Sequence, residues 1–142
     1  MRALGLALCS SALLLAAVLL GGCSSGEDLA LAEAQIPLFR QQVAAHQFAQ
    51  VYREAADDLR QAATEHDVVA LLSAVDRKLG NVQSAQANGW NVNFHTSGTF
   101  VALAFKTRFE RGSAAETFVY RISGGKALLA GYHINSNALL SN

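Results

Sequence analysis

The stretch TFVALAFKTRFERGSAAETFVYRIS, residues 99–123, decides the fold. Apolar and polar residues alternate on both sides of Arg111-Gly112, the pattern of two strands joined by a tight turn. The same period of two continues outward, giving four strand segments near 82–95, 99–110, 113–123 and 126–135, divided at Ser97-Gly98, Arg111-Gly112 and Gly124-Gly125. Each divider supplies glycine where a turn needs a positive φ. If all three are two-residue hairpins, counting sets the register. Trp90, Val92 and Phe94 then oppose Phe105, Leu103 and Val101. Those three oppose Phe118, Tyr120 and Ile122, and the last two oppose Leu129 and Ala127. All fall on one face, whereas a slip of one residue would scatter them over both.

Upstream the period changes to that of a helix. From Leu29 to Gln61 apolar residues recur at helical spacing: Ile36, Phe39 and Val43, then Phe48, Val51, Tyr52, Ala55 and Leu59. Pro37 belongs in the first turn of a helix, where its missing N–H costs nothing. The jump in phase between Val43 and Phe48 implies either a break near His46 or a broad apolar face. A further helix is better delimited. Thr64 and Asp67 have capping-box spacing, Val68, Val69, Leu71, Leu72, Val75 and Leu79 form its apolar side, and Gly80-Asn81 is a stop. The expected fold is therefore α+β: N-terminal helices followed by a four-stranded antiparallel meander whose aromatic face packs on them.

The N-terminus carries a different signal. An apolar run from Ala3 to Leu20 follows the single charge of Arg2 and closes in Leu19-Leu20-Gly21-Gly22-Cys23. This resembles the lipobox of a bacterial lipoprotein, which implies cleavage before Cys23 and acylation of its thiol and new amino group. The run is also long enough to lie near the lower limit for a membrane-spanning helix. The basic start, the small residues before Cys23 and the polar Ser24-Ser25-Gly26 fit a signal segment better. The expected division is a signal peptide with lipobox over residues 1–22, a lipidated tether over 23–28 and a single domain over 29–142. Ser24 resembles the residue type that lets such proteins reach an outer membrane, so the expected location is the cell envelope, lipid-anchored on the periplasmic side of that membrane. More than one acyl chain makes such an anchor stable.

About 120 residues would remain after cleavage, enough for one domain with a real core. Cys9 leaves with the signal and Cys23 would be lipid-linked, so no thiol is left for a disulfide, a metal or a nucleophile. Without Arg2, 10 basic residues face 11 acidic ones, a formal net charge of −1. That balance excludes a strongly basic nucleic-acid surface. No phosphate loop, serine elbow or His-Glu-x-x-His motif is present. His66 and His95 have no second ligand at a suitable spacing, so neither a metal nor any other cofactor is expected.

Gly89-Trp90-Asn91-Val92, the alternation from Val101 to Phe109, Glu116-Thr117-Phe118-Val119-Tyr120-Arg121 and Leu129-Ala130-Gly131-Tyr132-His133-Ile134 together resemble small secreted domains of the NTF2-like (cystatin-like) superfamily. The resemblance runs over roughly residues 34–140 and implies a curved sheet wrapped around helices with a cone-shaped interior. It names no activity, because the superfamily holds enzymes, ligand binders and adaptors. Only Asn137 to Asn142 are left to close the cone, which argues against a deep catalytic pocket.

The counted register places Glu116 opposite His133 on one side and Thr107 on the other, on the aromatic face. A carboxylate against an imidazole is an acid–base arrangement, and it is equally an ordinary cross-strand ion pair at the mouth of a core. Tyr52 or His46 could approach it. The opposite face is expected to carry Ala102, Ala104, Val119, Leu128, Ala130, Tyr132 and Ile134, ringed by Asn91, Asn93, Lys106, Arg108 and Arg121. Solvent-facing sheets are normally polar. A small and apolar centre with a polar rim points to an association surface, for a second copy or a protein partner, unless the first helix or Ala138-Leu139-Leu140 folds over it. Sheet-to-sheet dimers are also what the resemblance implies. The expected function is a non-enzymatic binding or self-association module. The alternative is a small-molecule binder or weak hydrolase- or isomerase-type enzyme using Glu116 and His133.

Overall fold

A computed structural model describes residues 25–140 of the chain. Helices α1 (Ser25–Glu33), α2 (Gln35–Ala44), α3 (Phe48–Glu54), α4 (Asp57–Ala62) and α5 (Glu65–Leu79) come first. Strands β1 (Val82–His95), β2 (Gly98–Phe109), β3 (Gly112–Ser123) and β4 (Lys126–Asn135) follow, with a short α6 (Asn137–Leu140) last. The strands form one antiparallel sheet in the order β1-β2-β3-β4. This is the α+β meander that the periodicity predicts.

The helical half is more divided than its apolar spacing suggests. His46 takes a φ of 57° and breaks the chain between α2 and α3, and Ala55 and Ala56 are extended ahead of α4. Pro37 sits in the first turn of α2. The box at α5 is complete: the Thr64 hydroxyl accepts from the Asp67 N–H at 3.2 Å and the Asp67 carboxylate accepts from the Thr64 N–H at 3.1 Å. The expected tether is not one, because α1 already begins at Ser25 and Asp28 is buried within it. The signal segment and Cys23 lie outside the described residues.

All six helices of the described residues contribute to the clusters on one face of the sheet. Ala32, Phe39, Val51, Leu59, Val68 and Leu72 pack with Val101, Leu103, Phe118, Tyr120, Ala127 and Leu129. A second cluster joins Val75 and Leu79 to Phe109 and Ala114, with Ala138 and Leu139 of α6 against it. Phe118 is the aromatic centre of the first cluster, with Phe39 edge-on at 5.0 Å and Tyr132 at 5.0 Å between ring centroids.

The strand pairing departs from the counted register at two turns and at bulges in β1 and β4. The first two turns fall one residue early, at Thr96-Ser97 and Glu110-Arg111, so Val101 opposes Tyr120 and Val92, and Leu103 opposes Phe118 and Trp90. From Gly89 to His95 and along β2 and β3 each pairing moves by an even number of positions, so no side chain there changes face. Bulges between Val82 and Ser84 and between Ala87 and Gly89 instead shift β1 by odd steps and bring Ala87 opposite the inner-face Phe105. The second turn is held where it is by the end of α5: the Arg111 N–H donates to the Leu79 carbonyl, and its guanidinium donates to the carbonyls of Asp76 and Arg77, both at 2.9 Å. The Leu79 and Arg77 carbonyls have no partner within the helix, while that of Asp76 also accepts from the Gly80 N–H at 2.9 Å. The third turn is as counted, with Gly124 and Gly125 at φ 57° and 72°.

The bulge in β4 changes faces as well. Tyr120 opposes Leu129, but Val119 opposes Gly131, leaving Ala130 as an extra residue in β4. Beyond this bulge Tyr132 opposes Phe118 and Ile134 opposes Glu116 on the helix side, while His133 opposes Thr117 on the outer side. Tyr132 and Ile134 are therefore not outer-face residues, and His133 is not an inner-face one.

Candidate functional site

Glu116 occupies the inner face of β3 beside Phe118 and is 1% exposed. A carboxylate so deep in an apolar cluster needs donors for both oxygens. Arg40 supplies two of them, through Nη1 to Oε1 at 2.7 Å and through Nη2 to Oε2. Tyr132 donates its hydroxyl to Oε1 at 2.7 Å, and Thr107, diagonal to Glu116 on β2, donates to Oε2. The Arg40 guanidinium is also 5.2 Å from the centroid of Phe118. Planar, bidentate pairing of this kind suits arginine better than lysine.

The sequence places Glu116 and Thr107 together, and the structure does bring them into contact. His133 is not part of the group, because the Ala130 bulge turns it to solvent on the other side of the sheet. Arg40 and Tyr132 take its place. Burial, then the neighbouring Glu116 charge and hydrogen bond, push the Tyr132 phenol far above the ordinary tyrosine range. Tyr132 is therefore a fixed donor to Glu116. With all four donors coming from the chain itself, the group holds α2 against the sheet and presents no free acid or base.

Tyr52 and His46, either of which could have approached Glu116, do not join it. Tyr52 donates to the Ala63 carbonyl at 3.2 Å, tying α3 to the end of α4. His46 faces Asp76 of α5 at 3.4 Å and stacks on Phe48. Among the described residues no three His, Cys, Asp or Glu side chains converge as a metal site would need. Tyr120 is buried with no hydrogen-bond partner for its hydroxyl, and burial pushes its phenol well above the usual range.

The outer face is the other candidate. Ala102, Ala104 and Val119 lie at its centre and Leu128 and Ala130 at the β4 side, all partly or fully open to solvent. Phe100 joins them under the Arg121 guanidinium, which stacks over its ring at 4.5 Å. Arg121 in turn donates to both Asp58 oxygens, one at 2.6 Å, bringing α4 around the β4 edge. The backbone makes the same connection where the Ala56 N–H donates to the Leu129 carbonyl at 2.9 Å, one residue before the bulge. Neither the first helix nor Ala138-Leu139-Leu140 covers this face, since both pack on the inner clusters.

No curated protein sequence matches the chain. One family model matches it over residues 39–132, from Phe39 to Tyr132, whose rings meet at 5.1 Å beside Phe118. The match covers about two thirds of the 142 residues and spans the whole Arg40–Thr107–Glu116–Tyr132 group. The chain belongs to the family DUF4019, described as proteins of unknown function.

Proposed function

We propose that this protein is a lipid-anchored domain of the cell envelope, on the periplasmic side of the outer membrane, that acts without catalysis by self-association through the outer face of its sheet. The observation that carries the reading is the uncovered centre formed by Ala102, Ala104, Val119 and Ala130, with the described helices packed on the opposite side and only α4 reaching round the β4 edge to Arg121. Patches of this kind, rimmed by polar side chains such as Asn91, Asn93 and Lys106, are features of association surfaces. The NTF2-like resemblance supports the same reading, as does the lipobox-like Leu19-Leu20-Gly21-Gly22-Cys23 for the anchor. The enzymatic alternative loses its main support with His133 on the far side of the sheet from Glu116.

Sedimentation of the full-length lipidated chain in detergent tests the association. The expected result is a concentration-dependent dimer that becomes a monomer in Ala104→Glu, with unchanged circular dichroism and thermal midpoint. A wild-type chain that stays monomeric at every concentration removes self-association as the role of this face.

A further inference from the structure

The inner face of β1 is open where the rest of the sheet is covered. Trp90 and Phe94 point to the helix side, in register with Leu103 and Thr99, yet are 60% and 64% exposed. Val92 between them packs against the core. The strand is also a free edge, with β2 on one side only. Edge strands are usually protected by charge, lysine above all. Yet β1 has fourteen residues without one Asp, Glu, Lys or Arg. Two large aromatics on an uncharged, unpaired edge form a surface that water alone does not explain.

The path of α1 identifies what lies against it. This helix touches all four strands. Its nine residues measure about 13 Å, close to the roughly 14 Å spanned by four strands, so it crosses the sheet from edge to edge. The crossing has a direction, because Gln35 and Leu38, just after α1, line a cleft with Ala127 and Leu129 of β4. The start of α1 therefore lies at the β1 edge. Cys23 is only two positions before Ser25, within about 8 Å of it along any chain path. A lipid carried by Cys23 would leave the domain beside Trp90 and Phe94.

We infer that the β1 flank is a membrane-contact surface, on which Trp90 and Phe94 enter the headgroup region of the bilayer that holds the anchor. This rests on the lipoprotein reading proposed above. Tryptophan suits such a site because its ring is apolar and its indole N–H can still reach polar headgroups. The uncharged polar side chains of β1, Gln86, Asn88, Asn91 and Asn93 among them, can hydrogen-bond there without the cost of desolvating an ion.

Trp90 is the only tryptophan in the chain, so its emission reports on this flank directly. The full lipidated chain is reconstituted into vesicles of phosphatidylethanolamine and phosphatidylglycerol, with and without lipids brominated near the headgroup end of the acyl chain. Mass spectrometry of the N-terminal peptide establishes acylation of Cys23 in the same sample. The expected result is loss of most Trp90 emission to the brominated lipid and shielding from aqueous iodide. In Trp90→Phe/Lys126→Trp, whose tryptophan sits exposed on β4 at the opposite edge of the sheet, iodide quenches and the brominated lipid does not. Acylated Cys23 with Trp90 open to iodide and blind to brominated lipid overturns the inference and leaves the lipoprotein reading standing. Trp90 shielded from iodide but blind to brominated lipid also overturns it, because another protein copy then covers the flank. An unmodified Cys23 overturns the lipoprotein reading and the inference with it.

Discussion

Arg40 and Glu116 are 76 positions apart in the chain, and each is buried at the other's expense. Removing one charge leaves the other without compensation in an apolar cluster, which costs about 3–5 kcal/mol for pairs of this kind. Arg40→Met is therefore expected to lower stability by that amount in urea unfolding. Arg40→Met/Glu116→Gln is expected to cost clearly less than the sum of its two single changes, since the glutamine carbonyl can still accept from the Tyr132 hydroxyl while its amide donates to the Thr107 hydroxyl. Strict additivity would mean that the two side chains do not interact. Asp58 offers a second test at this scale. Its hydrogen bonds from Arg121 hold its carboxyl below the ordinary carboxylate range. A depressed folded pKa stabilises the protein above the unfolded value, about 3.9, and that stability is lost as the pH falls through the folded value. Urea midpoints of wild type and Asp58→Asn should therefore differ at neutral pH and converge below about pH 4. A difference that persists undiminished in acid would assign the effect of Asp58 to something other than its charge.

One extra residue in β4 decides which side chains reach the core. With Ala130 bulged, Tyr132 is inside and His133 outside. Tyr132→Ala is then expected to cost about 3–5 kcal/mol, as for other buried aromatics, and His133→Ala to stay within about 0.5 kcal/mol. The reverse ranking in urea unfolding would mean an unbulged strand. Much of this architecture is legible in the chain: the period-two segments, the Gly124-Gly125 turn and the Thr64–Asp67 box all form where their local chemistry puts them. The facing of β2, of β3 and of β1 from Gly89 onward also survives two displaced turns, because hairpin displacement moves partners by even steps. A bulge is an odd step, and Ala130-Gly131 carries no residue that demands one. Its position coincides with a tertiary bond, from Ala56 to Leu129, that local pattern cannot reveal. Arg40 was hidden for the same reason. Its one visible trace is that an inner-face Glu116 needs a cation, and α2 carries just this one, next to Phe39 on a helix that must face the sheet.

The proposed surfaces constrain each other when they are placed on one body. The start of α1 and the β1 flank lie at one edge of the sheet, and the outer face is at right angles to that edge. A domain resting on β1 stands its sheet upright on the bilayer, so Ala104 faces along the membrane plane. Two such copies can meet outer face to outer face about a two-fold axis along the membrane normal, the isologous arrangement of most dimers. Both anchors then enter the same leaflet. Donor- and acceptor-labelled Arg108→Cys chains sharing one vesicle are accordingly expected to show energy transfer that Ala104→Glu abolishes. Separately loaded donor and acceptor vesicles, once mixed, should neither clump nor transfer energy. Clumping reversed by Ala104→Glu would put the two anchors on opposite sides of the dimer. The outer face would then remain an association surface, but the upright stance on β1 would have to be abandoned.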